Sequence, residues 1–596
     1  MTYFRLLAVS SLVLVGCQDA IDLDPLDNTP PIEARVRPAP ILGGTLTLTA
    51  DDSLAIAADP DRDLVHIVDL DAHQVLHTIA LAPGDQPQRV VLGSNGQAHV
   101  VLRGAGAIAT IDPVAGTVTA RHAVCLEPRG IAFHDADASL YVACAGGSLL
   151  HLTEAGEVLE RRELEPDLRD VVIVDGEVKV SLFRSAAIIG LDGSRLEIPH
   201  LDGDVPHVAW RTWVTGAGDI AILHQMESTR PVPIDPEPDD LEDSAPYGGG
   251  GGFCQLGIVN AAITTIAKGR ITTTPLTDSN LTVDAAFSPD GRWMAMAVPG
   301  VIRPEDRVEK SDKRSSRNEL DSFPAVNRPS VQVDPRPDGG VSCNPTDDAT
   351  DYGQVTAVAF AASGRLVMQS REPARIMVME EAPGGALETI ALAGEPRFDT
   401  GHEIFHRATD SGLSCASCHP EGTDDGHIWD FKDLGPRRTQ ALDVGLVDTA
   451  PYHWDGDMPD FGVLMAEVLA HRMGGKRQSP ARGDSFTRWM FEQQRPAAAS
   501  DVADPTIVAA GEALFADYGC KKCHDGPALG GQRTERIAGA DKQVPTLRRI
   551  SLHPPFMHDG RAPTLEAAVR DMVTTTRSTP APEADIAAMA AYLRTL

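Results

Sequence analysis

Positive charge is scarce in this sequence: 52 Lys and Arg stand against 85 Asp and Glu, a formal charge of −33. A surface this acidic cannot neutralise phosphates, which excludes a general nucleic-acid binder. It suits a soluble, self-repelling surface and leaves room for a basic partner. Long apolar runs are missing too. Residues 6–15 form one such run, too short for the roughly 20 residues a membrane-spanning helix needs, and no second stretch of about 18 follows. No spanning helix is expected. At 596 residues the chain also exceeds what one hydrophobic core can organise, so two or more domains are expected.

The start, MTYFRLLAVSSLVLVGCQDA, places Arg5 before the apolar run and ends it at Leu14-Val15-Gly16-Cys17. That tetrapeptide resembles the lipobox of bacterial lipoprotein signal peptides. The resemblance implies a signal peptide over 1–16, cleavage before Cys17 and a lipid-modified Cys17. The mature protein would be exported and anchored to a bacterial membrane on its periplasmic face, through the lipid only. Gln18 after Cys17 resembles an outer-membrane sorting signal. Residues 17–40 are polar and proline-rich, as a tether would be. Of nine cysteines, Cys17 is the lipid site and four lie in two C-x-x-C-H motifs. Cys125, Cys144, Cys254 and Cys343 remain, enough for two disulfides in an oxidising compartment. Sequence does not fix the pairing; Cys125 with Cys144 and Cys254 with Cys343 are the expected pairs.

Between residues 41 and 395 short alternating strands recur between turn residues. QRVVLGSNGQAHVVL, PRGIAFHDADASLYVAC and LRDVVIVDGEVKVSL carry Arg89, Arg129 and Arg169 at the same point, a period of 40 residues. Several strands per unit at that period mark a β-propeller, and the units resemble YVTN-type repeats. Two polar insertions, 227–253 and 302–351, interrupt the array; without them there is room for about seven blades. No convergent cluster of acids, metal ligands or nucleophiles is legible in the propeller.

After residue 396 the alternation stops and helical periodicity begins, as in EADIAAMAAYLRTL, where Ile586, Met589, Ala590 and Leu593 share a face. The expected architecture is therefore multidomain: an N-terminal all-β propeller followed by a mainly α-helical domain over 396–596. That domain holds Cys415-Ala-Ser-Cys418-His419 and Cys520-Lys-Lys-Cys523-His524. Two thiols add across haem vinyl groups, and the adjacent His is delivered to the iron. With nine Cys and nineteen His, chance supplies on the order of 0.004 such matches. A zinc site or a redox dithiol would not require His directly after both pairs. Two covalently bound haem c groups are expected, the first within about 396–500 and the second within about 501–596.

These motifs, with GHEIFHRATDSGLSCASCHPEGTDDG, PYHWDGDMPDF, GEALFADYGCKKCHDGPALGG and VPTLRRISLHPPFMHDGRAPTLEAAVRDM, resemble the di-haem cytochrome c peroxidase family, which includes the MauG-type enzymes. The resemblance covers the last third of the chain. It implies His419 and His524 as proximal iron ligands, and Met572 as the distal ligand of the second haem, with Met557 the alternative. Thr564 would cap the helix carrying Met572. Trp454 matches the tryptophan that lies between the haems and passes electrons. The implied activity is peroxide reduction at the first haem, with electrons entering at the second from a small donor protein or a quinol-linked donor.

The match departs from the family at the first haem. Peroxide cleavage needs an acid–base group on the open face of the iron. The positions that carry Gln and Glu in the family are Leu464 and Gly474 here, and the Arg of W-D-G-R is Asp457. Glu467 and His471 are the nearby substitutes. His427, in DGHIW, and His453 are candidates to ligate the first iron. The family's interdomain calcium uses an Asn in G-P-R-N; Gly435-Pro436-Arg437-Arg438 puts Arg there and argues against the ion. Two further functions stay open: a non-catalytic di-haem electron carrier with the propeller for docking, and MauG-like oxidation of a partner protein.

Overall fold

Short strands broken by Asp- and Gly-containing turns assemble into seven antiparallel sheets between residues 46 and 391 in the computed structural model. The described residues are 26–201, 203–235, 247, 257–276, 281–300, 330–336, 352–409, 411–493, 504–577 and 579–596. The expected lipid site at Cys17 and the expected pair Cys254–Cys343 lie outside them. The blades span 46–80, 87–123, 128–163, 168–196, 204–276, 284–335 and 355–391, each a meander in sequence order. Asp59, Asp69 and Asp112 set the tight turns: each Oδ1 accepts from backbone N–H groups two and three residues on, at 2.8–3.2 Å. Gly44 N donates to Thr356 O at 3.2 Å and Thr45 Oγ1 to Gln369 Oε1 at 2.8 Å, closing blade 1 onto blade 7. Cys125 and Cys144 are disulfide-bonded, tying the connection after blade 2 to the second strand of blade 3.

The two insertions begin and end differently from the sequence expectation. Strand Ile220–Ser228 of blade 5 runs two residues into the segment 227–253. The segment 302–351 contains Val331–Pro335, which pairs with Trp293–Ala297 as the third strand of blade 6. Its Val-Gln-Val alternation is masked in the sequence by the long polar stretches on either side.

The helical region follows directly. Helix α1 (Thr400–His406) is capped by Asp399, and α2 (Cys415–Cys418) carries the first motif. Helix α3 (Phe461–Leu464) runs on as a π-helical segment, Met465–Arg472, a geometry found most often at functional sites. Helix α4 (Pro480–Glu492) packs on α1, where a Cβ on Gly401 would meet Trp489 Cβ at 2.4 Å. Helix α5 (Pro505–Asp517), α6 (Leu565–Arg577) and α7 (Glu583–Leu593) build a second core. There α5 crosses α7 so closely that a Cβ on Gly511 would meet Ala588 O at 2.0 Å. Thr564 Oγ1 accepts from Ala567 N at 3.2 Å and caps α6. Residues 26–40, within the expected tether, lie along this domain: Ile32 O accepts from Thr400 N at 2.8 Å and Pro38 O from Trp489 Nε1 at 3.0 Å. Among the described residues no helix is long and apolar enough to cross a membrane.

The helical domain is joined to the propeller by buried charge. Glu421, two residues beyond His419, receives Arg103 Nη1 at 2.5 Å and Arg169 Nη1 at 2.6 Å. Asp424 receives Arg184 at 3.0 Å and Arg438 at 2.6 Å. Arg129 binds Asp167 at 2.9 Å, and Arg89 binds Asp170 at 2.9 Å. The repeat arginines of the sequence are thus all buried in ion pairs, and the first motif's loop joins them through Arg169.

Candidate haem sites

Capping of α2 presents its two thiols to one cavity. Ser417 Oγ accepts from Ser414 N at 3.1 Å, fixing the first turn. The cavity measures about 310 Å³ and is lined by Cys415, Cys418 and His419, with apolar walls from both domains. Tyr247 and Ile258 of the propeller close one side; Phe461, Met473 and Met490 close another. Burial pushes the Cys415 thiol up to about 12 and the Cys418 thiol well above the ordinary range, so neither is a free reactive thiolate. His419 Nδ1 donates to Thr423 O at 3.2 Å, which leaves Nε2 with its lone pair. Burial holds this imidazole at about 4, hence neutral. Two unpaired thiols and a neutral His with an oriented, bare nitrogen in an apolar cavity fit covalent haem c with His419 as ligand.

The second motif repeats the arrangement. Gly519 takes φ +80°, which a glycine tolerates, and turns the chain from α5 into Cys520. His524 Nδ1 donates to Leu529 O at 3.1 Å, again baring Nε2, and burial lowers its pKa. Cys520 and Met557 both pack against the core of Phe515, Phe556, Leu565 and Met589. Met572 lies half-buried on α6.

Trp454 links the two. It lines the first cavity, donates Nε1–H to Arg438 O at 2.6 Å, and lies with its ring 6.3 Å from the His558 ring. His558 follows Met557 of the second core. Arg438 N donates to His558 O at 2.7 Å, so one short backbone path joins the two sides.

The far wall of the first cavity departs from the sequence expectation. Glu467 points to solvent on the outer face of the π-helical segment. His471 is exposed too and pairs with Asp235 at 3.3 Å. Neither lines the cavity; Leu464 at the end of α3 and Val468 and Arg472 of that segment do. The extra residue per turn in a π-helix rotates the side chains off the positions a regular helix predicts. His427 is not at the cavity either. Its Nε2 donates to Ser228 O at 3.0 Å and its ring packs edge-on against Trp429, whose other neighbours include the cavity. His453 does line the cavity, with Asp457 3.5 Å away. The bond from His453, which outweighs burial, holds Asp457 below the usual carboxylate range.

The first motif rests on a charged seat assembled from residues far apart in the sequence. Burial alone would raise Asp424, but Arg184, Arg438 and His553 hold it well below its ordinary value. His553 donates to Asp424 Oδ2 at 2.6 Å and lies 3.1 Å from Asp443; these carboxylates outweigh burial and raise it. Arg438, at the position of the family's calcium-ligating Asn, thus supplies positive charge to this seat itself. The 40-residue recurrence of arginine was the available signal.

A family model described as Cytochrome c matches residues 508–596, so this C-terminal part is a cytochrome c domain and implies haem c. The cytochrome c551 peroxidase of Nitrosomonas europaea is 32% identical over 137 residues, covering 19% of this chain and 39% of that protein. The chain thus spans less than half the length of the curated relative it matches. Among solved structures, Kuenenia stuttgartiensis hydrazine synthase aligns with 62% of this chain and 100% of its own at 15% identity and a TM-score of 0.40. A streptogramin B lyase aligns with 57% of this chain and 93% of its own at 11% identity and a TM-score of 0.36. The chain therefore combines a seven-bladed propeller with a helical region whose C-terminal part is a cytochrome c domain.

Proposed function

We propose that the protein binds two haem c groups and reduces a peroxide at the first, drawing electrons through the second. Haem c would supply one-electron storage at both motifs and peroxide reduction at an open iron position. The observation that carries the proposal is Trp454, which walls the Cys415–His419 cavity and faces His558 beside the second core. Its indole lies where an electron path between the two thiol pairs would run.

Reduction of hydrogen peroxide to two waters consumes two electrons and two protons. The electrons come one at a time from a reduced donor, a small protein or a quinol-linked carrier. His453 is the cavity's proton carrier in this proposal: it lines the space and is oriented by Asp457, as a general acid–base needs. Arg472 lines the same cavity and favours negative charge there. Tyr247, Ile258 and the apolar walls restrict water.

Steady-state peroxide consumption by the reduced holoprotein with a one-electron donor tests this. Trp454→Phe is expected to lower turnover about tenfold, about 1.4 kcal/mol on the barrier, with haem content unchanged. Absence of turnover after reduction would refute it. Leu464 on the cavity wall, at a position where the family carries Gln, favours a second function, a non-catalytic electron carrier. That alternative predicts two six-coordinate haems and no carbon monoxide binding.

A further inference from the structure

Blade 5 and the loop after the first motif bring two histidines and a glutamate together behind the first cavity. Strands Asp204–Val214 and Ile220–Ser228 pair with His207 opposite Gln225 and Val205 opposite Glu227. His207 and Glu227 are thus diagonal neighbours on one sheet face. His427 reaches them from the other domain, eight residues after His419. Their ligand atoms lie within 4.8 Å of one another.

Hydrogen bonding fixes which nitrogens are bare. His427 Nε2 lies 3.0 Å from Ser228 O and His207 Nδ1 3.3 Å from Asp425 O. A carbonyl only accepts, so these nitrogens carry the protons. The other two, His427 Nδ1 and His207 Nε2, then face each other at 3.2 Å with lone pairs. Glu227 Oε2 is 3.5 Å from His427 Nδ1 and 3.8 Å from His207 Nδ1. The Glu227 side chain is 0% exposed, and among the described residues neither of its oxygens has a hydrogen-bond partner. Asp425 Oδ2 and both polar atoms of the Gln225 amide are likewise buried without partners. A buried carboxylate left this way costs several kcal/mol unless something positive meets it.

We propose that His207, Glu227 and His427 bind a divalent transition cation of the zinc class, which fastens propeller blade 5 to the first haem loop. In a tetrahedral site with bonds of about 2.0–2.1 Å, ligand atoms stand about 3.3 Å apart. The spacings of 3.2 and 3.5 Å match those edges. Two imidazoles and one carboxylate leave a fourth position for water or for Asp425. The sequence hides this site, because its ligands are spread over 220 residues and two domains.

The test is zinc retention by the full-length holoprotein, stripped with chelator, equilibrated with zinc chloride and desalted. About one zinc per chain is expected by mass spectrometry. Zinc-edge X-ray absorption should show two imidazole nitrogens and a carboxylate oxygen at about 2.0–2.1 Å. Glu227→Gln, which keeps size and shape, is expected to weaken binding at least about tenfold while haem content and the far-ultraviolet spectrum stay unchanged. Zinc-free wild-type protein after equilibration would overturn the proposal, and so would zinc retained equally by Glu227→Gln. The wild-type absorption spectrum decides the matter even if a variant misfolds.

Discussion

Replacing Glu421 by Gln should cost the protein more than any surface substitution, and the seat of the first haem loop says how much. The Glu421 side chain is 0% exposed, and its partners Arg103 and Arg169 are 1% and 0% exposed. Its backbone sits at φ +53°, a left-handed conformation that a residue with a Cβ holds only when its surroundings dictate it. Arg169 is already held below its ordinary pKa by burial and by Arg89 and Arg129, with Glu421 acting against them. Glutamine keeps one acceptor, turns an amide toward a guanidinium and removes the counter-charge. Breaking a buried pair in this way costs about 3–5 kcal/mol. With about 2–4 °C per kcal/mol for a domain of this size, the melting midpoint should fall on the order of 10 °C. Calorimetry of the holoprotein would also show whether one transition splits in two as the propeller and helical domain uncouple. Arg169→Met in the same background should restore part of the loss, because an uncompensated charge is removed with it. Glu395→Gln, at an exposed pair with Arg35, should leave the midpoint unchanged. A Glu421→Gln shift below about 2 °C would refute the argument that this ion pair seats the loop.

Cys415→Ala and Cys520→Ala should each lower covalently bound haem from about two to about one per chain, read by haem-stained gels and iron content. His453→Ala should lower peroxide turnover about a hundredfold, whereas Glu467→Gln, on an exposed side chain, should not change it; equal loss in both would reverse the assignment. Stability of the domain junction should depend on pH at both ends. His553 is raised above its ordinary 6.5, so its contribution is present below that value and lost as pH rises through the raised one. Asp424 is lowered below 3.8, so its contribution is present above that value and lost as pH falls through the lowered one. Thermal unfolding from pH 3 to 9 should therefore show a plateau about pH 5–6 that His553→Gln flattens on its alkaline side.

What could be read from the sequence followed local chemistry. The two C-x-x-C-H motifs, the 40-residue recurrence and the change of periodicity after residue 396 are all short-range, and the structure shows the propeller, the helical domain and the Cys125–Cys144 bridge. Glu467 and His471 went astray because helical register was assumed through a segment that is π-helical. The likeness of DGHIW to a family segment makes His427 a candidate iron ligand, but the turn at Asp424 and Asp425 sends it toward blade 5 instead. Non-local assemblies stayed invisible. The seat of Glu421 draws on residues 103 and 169, and the His207–Glu227–His427 cluster joins strands to a loop two hundred residues away.

These non-local contacts give the propeller a physical role that its fold alone does not. Strand-and-turn repeats hold Arg103, Arg169 and Arg184 where they reach Glu421 and Asp424 of the other domain, and a close-packed scaffold keeps these like charges near enough to share the carboxylates. The loop after His419 pays for its left-handed turn at Glu421 with those bonds, and the same loop sets the Thr423 carbonyl that orients His419. Described residues of the blade 5 connection also meet the helical domain: Val232 pairs with Phe431, Tyr247 stacks on Phe431 with ring centres 6.0 Å apart, and Tyr247 and Ile258 wall the cavity. The first candidate haem site is thus a composite of both domains, whereas the described walls of the second candidate come from residues 508–596 and their neighbours in the helical core. Loss of propeller contact should therefore disturb the spectrum of the first haem before that of the second. Such an order of loss is what a fused propeller would be for: it makes the first site, and not the second, depend on the whole chain.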